Sequence, residues 1–177
     1  MRTRYLALTL VSFGALAVAP SARAQAIVAD PARSPDAAFV AKATEAIAGD
    51  TDLAAVAMER ATTAGVKTLA QQVLDATAAL SRELAAMDRP VAIPATADAT
   101  PTDAMKAAAA LRSQPPPLFD AAFVAAIIAR REAAVALFEA ESRDGRDAEI
   151  KEWAARQLPA LRDQLVAARA LRDRPRS

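Results

Sequence analysis

From Ser34 onward the apolar residues of this chain recur at helical spacing. Ser34-Pro35-Asp36 has the form of a helix start: a capping hydroxyl, a proline at the first helical position and an acid in the first turn. Phe39, Val40, Ala43 and Ile47 follow, Gly49-Asp50 offers a bend, and Leu53, Val56 and Ala57 carry the stripe on. The pattern breaks over Thr62 to Gly65. It resumes with Val66, Leu69, Val73, Leu80, Leu84 and Met87, at steps of three, four or seven, the spacing of one buried face. Pro90, Pro94 and Pro101 mark the longest linker. Asp103 to Leu111 can form a short helix, which Pro115-Pro116-Pro117 ends. A long helix is expected from about Leu118 to Ser142, burying Phe123, Ile127, Val135 and Phe138, and Asp144-Gly145 reads as a turn. The last helix repeats Ile150, Trp153, Leu158, Leu161, Leu165 and Ala168, with a kink expected at Pro159 and fraying at Pro175. No segment alternates with a period of two. The spacing predicts an all-α fold, an antiparallel four-helix bundle with a short extra helix in the middle connection.

The segment before this pattern is different. Arg2 and Arg4 precede an apolar run from Tyr5 to about Val18, then come Pro20 and Ala22-Arg23-Ala24. That is the three-part pattern of an export signal with cleavage after Ala24, and the run is shorter than the ~20 residues a membrane span needs. The expected organisation is a signal at 1–24, an irregular leader at 25–33 and one helical domain at 34–174. The expected location is periplasmic or secreted, with no integral span once the signal is removed.

Composition removes whole chemistries. The 177 residues include no Cys and no His, so disulfides, thiolate sites, Ser-His triads and imidazole ligands are all excluded. Lys plus Arg number 22 against 21 Asp plus Glu, which gives no electrostatic footprint for nucleic acid. There is no glycine-rich phosphate loop or dinucleotide fingerprint. Glu139 and Glu141 stand two apart and point to different helix faces, so they do not form a paired acid and base. No catalytic, cofactor-binding or metal-binding residues are assigned, and no cofactor is expected.

Four polar residues fall on or beside the apolar stripes. Thr77 lies between Val73 and Leu80, Arg131 lies four residues from both Ile127 and Val135, Gln164 adjoins Leu165, and Asp52 adjoins Leu53. An antiparallel bundle could bring Asp52, Thr77, Arg131 and Gln164 to one level. A buried arginine there would need a carboxylate, because an unpaired interior charge is very costly. Three readings stand: Arg131 reaches solvent and Asp52 is solvated, an Arg131–Asp52 pair sets helix register, or the layer binds a ligand or metal.

Three stretches carry a family resemblance: Glu59 through Gln72 (ERATTAGVKTLAQQ), Phe119 through Phe123 (FDAAF) and Trp153 through Leu161 (WAARQLPAL). Together they resemble a bacterial family of exported, ferritin-like helical proteins known as a domain of unknown function, whose members are described as outer-membrane or secreted. The resemblance spans about Asp36 to Leu171. It implies a four-helix bundle with an inner layer carrying a glutamate at the position of Asp52 and histidines near Thr77, Arg131 and Gln164. All three imidazoles are missing here, and Arg131 puts a positive charge where a cation would sit. The expectation is an exported, non-enzymatic bundle acting on an envelope protein or a small ligand. The alternative is a ferritin-like metal or redox protein with a degenerate site.

Overall fold

The structure, a computed structural model, describes residues 34–87 and 103–174. The export signal, the leader and the Pro90 to Pro101 linker lie outside the described residues. Those residues form five helices and no strand: α1 (Pro35–Arg60), α2 (Ala64–Ala86), α3 (Asp103–Arg112), α4 (Pro116–Asp144) and α5 (Ala148–Arg172). None is long and apolar enough to cross a membrane.

Local chemistry sets the helix ends. The Ser34 side chain accepts from the Ala37 N–H, Thr63 from Val66, and Asp147 from Glu149 and Ile150, each satisfying N–H groups that the first turn leaves unpaired. The triple proline does more than end α3. Pro115 is the cap of α4 and Pro116 opens it, because a first-turn residue needs no N–H and proline's φ is already helical. Gly49-Asp50 makes no break, and α1 runs through it. α5 likewise runs through Pro159, whose exposure leaves the carbonyl it cannot serve open to water.

The chain packs as two helix pairs, α1 on α2 and α4 on α5, with α3 against α1 and α1 also touching α4. Two apolar clusters result. One gathers Leu53, Ala57, Val66, Leu69, Phe119, Phe123 and Ile127 near the α1–α2 turn. The other gathers Phe39, Ile47, Leu80, Phe138, Trp153 and Leu161 at the opposite end. In the second cluster Phe39, Phe138 and Trp153 meet with ring centroids 5.1 to 6.0 Å apart, tilted or edge-on, the arrangement aromatic quadrupoles favour.

The two pairs follow one plan. Asp-Ala-Ala-Phe-Val-Ala occurs at 36–41 and again at 120–125, 84 positions later. The same offset relates the helix-ending residues Ala61 (φ −60°, ψ 137°) and Gly145 (φ −57°, ψ 144°). It also relates the caps Thr63 and Asp147, and the buried Val66, Leu69 and Ala70 to Ile150, Trp153 and Ala154.

Candidate functional site

Each pair's leading aspartate holds the other pair's turn. Asp36 Oδ1 accepts from the backbone N–H of Arg146 (2.7 Å) and Asp147 (3.1 Å), at the α4–α5 turn. Asp120, its counterpart on α4, accepts from the N–H of Thr62 (2.9 Å) and Thr63 (2.8 Å) and from the Thr62 hydroxyl (2.9 Å), at the α1–α2 turn. Burial works to raise both carboxyls. The hydrogen bonds from Arg146 and Asp147, and from Thr62 and Thr63, outweigh it and hold both below the usual aspartate range.

The two clamps differ in a second buried acid. Where α1 has Ala57, α4 has Glu141, 6% exposed, hydrogen-bonded to Asp36 and with Oε1 unpartnered. Burial, with Asp36 and Asp147 beside it and Lys151 opposing, pushes this carboxyl up to about 7. The Glu141 side chain folds back over its own turn: a Cβ on Gly145 would lie 2.6 Å from Glu141 Oε1. That Cβ would also lie 2.6 Å from the Glu141 carbonyl oxygen, so glycine at 145 is a matter of space. The separation of Glu139 and Glu141 onto different faces holds, but Glu141 has an acidic partner from α1.

Between the two apolar clusters lies a polar level. The gap falls between Ile47 and Leu53 on α1, Val73 and Leu80 on α2, Ile128 and Ala134 on α4, and Leu161 and Ala168 on α5. Thr77, Arg131 and Gln164 occupy three of these gaps. Thr77 is 1% exposed; it accepts from the Thr51 hydroxyl (3.1 Å) and donates to the Leu74 carbonyl (3.0 Å). Arg131 is 2% exposed. Gln164 is half-buried, and its Oε1 has no hydrogen-bond partner.

The carboxylate at this level is Asp50, not Asp52. Asp50 Oδ2 lies 2.7 Å from Arg131 Nη1, and Asp50 Oδ1 accepts from Arg130 Nε. Arg130 also donates to the Ala46 carbonyl at 2.8 Å. Asp52 is exposed. The reason is angular: Asp50 stands three residues from both Ile47 and Leu53, on their face, whereas a residue adjoining Leu53 is turned about 100° away. Two guanidiniums thus share one buried carboxylate, and Arg131 Nε and Nη2 have no partner.

This donor set does not fit a divalent cation. The one carboxylate at this level is engaged by two guanidiniums, the Thr77 proton is committed to a carbonyl, and imidazole is absent from the chain. No group of three or more metal-ligating side chains gathers among the described residues. Arg131 would put its charge where an ion would sit.

Comparison with known proteins adds the lineage. No curated protein matches the chain. A crystal structure of a DUF305 fragment from Deinococcus radiodurans is similar in fold, at a TM-score of 0.68 and 20% identity, covering 80% of this chain and 98% of that one. The family model described as Domain of unknown function (DUF4142) matches residues 19–171, and the chain belongs to that family.

Proposed function

We propose that this protein works outside the cytoplasm as a non-catalytic, ferritin-like antiparallel bundle of α1, α2, α4 and α5 that acts by binding. The observation that carries this reading is the Arg131 guanidinium, buried between the apolar clusters and held by Asp50. In a ferritin-type interior that level would offer carboxylates and imidazoles to a metal; here it offers an ion pair. The export pattern at Met1 to Ala24 supports the location.

Melting the natively exported, untagged protein in chelator, then in excess iron(II), manganese(II) or zinc, tests the reading. The expected melting temperature is the same throughout. A ligand present at 100 times its Kd would stabilise the fold by about 2.7 kcal/mol. A rise of several degrees with any one metal overturns the reading. N-terminal sequencing of the periplasmic fraction is expected to begin at Gln25, and retention of the intact chain in the cytoplasm overturns the location.

A further inference from the structure

A cavity of about 440 Å³ opens between α1 and α2, within the roughly 300–1,000 Å³ of small-molecule sites. Its apolar walls are Ile47 and Leu84, and Ala48 and Ala85 complete its apolar lining. The internal repeat shows why it is open. The counterparts of Ala48 and Ala85 on α4 and α5 are Glu132 and Arg169, whose side chains form an ion pair at 2.6 Å. The counterparts of Thr44 and Ser81, also in the lining, are Ile128 and Leu165. Larger and paired side chains bridge the second helix pair at the level where the first keeps small ones.

The polar lining selects one chemistry. The Thr44 hydroxyl donates to the Val40 carbonyl (2.8 Å), and the single Thr51 hydroxyl proton is shared between the Ile47 carbonyl (2.9 Å) and Thr77 Oγ1 (3.1 Å). Both therefore present oxygen lone pairs to the cavity. Asp52, the one charged residue of the lining, only accepts, and it forms no ion pair among the described residues. An acceptor-rich, anionic rim above an apolar floor matches a donor-rich cation on a hydrocarbon chain.

We propose that the α1–α2 cavity binds a primary alkylammonium, its chain against Ile47 and Leu84 and its head at Asp52. The proposal gives a ligand class to the binding role above and rests on it. The two fail separately: metal loading would overturn that role without moving this titration, and a failed titration leaves the metal result untouched.

The test is titration of the natively exported protein with n-hexylammonium, n-hexanol and n-hexanoate, followed by amide NMR shifts. Hexylammonium is expected to move the amides of Thr44, Ala48, Thr51 and Asp52, with hexanol and hexanoate several-fold weaker. Asp52→Asn is expected to weaken hexylammonium about fivefold at low salt, as befits an exposed ion pair. Ala48→Glu with Ala85→Arg, which copies the Glu132–Arg169 bridge, is expected to abolish binding. Ala85→Leu, at an exposed position, fills the same space should the double variant not fold. Hexanol binding as tightly as hexylammonium, no effect of Asp52→Asn, survival of binding in the filled variants, or no binding at all would each overturn the proposal.

Discussion

Asp50→Ala is expected to destabilise the protein by about 3 to 5 kcal/mol, whereas Arg131→Met costs about 1 kcal/mol or less. The asymmetry follows from who else is present. Without Asp50, the Arg131 guanidinium remains 2% exposed with no carboxylate. Without Arg131, Asp50 keeps Arg130, whose side chain is 22% exposed and reaches water. The methionine also removes two N–H-bearing atoms, Nε and Nη2, that have no partner in the wild type, and an unsatisfied buried donor is itself a cost. The double variant should then resemble Arg131→Met alone. Urea unfolding of the three variants checks this. Equal costs for the two single changes would mean that the level is not organised around Asp50.

Glu141→Ala is expected to stabilise the protein by about 2 kcal/mol near pH 8 and to flatten its pH dependence. The wild-type carboxyl moves from an ordinary 4.5 in the unfolded chain to about 7 in the folded one. Well below 4.5 it is protonated in both states and costs nothing. Between 4.5 and about 7 the unfolded chain ionises first, so stability falls as pH rises, and above 7 the deficit is constant. Asp36 and Asp120 are shifted the other way. Their contribution is present above the ordinary aspartate value and is lost as pH falls through their lowered ones. The wild type should therefore be most stable between the ordinary aspartate value of 3.8 and the ordinary glutamate value of 4.5. The other half of the molecule is the internal control: Ala57 stands at the Glu141 position, and the clamp at Asp120 works without a second acid. Thermal melts from about pH 4 to pH 9 would contradict this if Glu141→Ala kept the wild-type slope between 5 and 7.

The helix-forming pattern was legible from end to end, since apolar steps of three and four residues depend only on local geometry. Thr77 and Arg131 were legible for the same reason, each standing at three or four residues from apolar neighbours on both sides. Asp52 adjoins Leu53, but adjacency on a helix is not a shared face, and Asp52 is exposed. The same periodicity, applied from Ile47 and Leu53 together, selects Asp50. Glu141, three residues from Phe138 and seven from Ala134, also lies on a buried stripe, yet its partner Asp36 is far away in sequence. No local rule joins them. The available signal was the repeated Asp-Ala-Ala-Phe-Val-Ala, which sets Asp36 beside Asp120 in role and each opposite the other pair's turn. The triple proline shows that a breaker for one helix can be a starter for the next.

In the function proposed above, the Arg131–Asp50 pair stands where a ferritin-type interior would hold its metal. Metal analysis of the protein, exported natively and purified without a histidine tag, tests it most directly, because a tag would supply the ligands the chain lacks. Only trace metal is expected, before and after incubation with iron, manganese and zinc. Near-stoichiometric metal that disappears in Asp50→Ala would contradict it and would make the interior carboxylate a ligand.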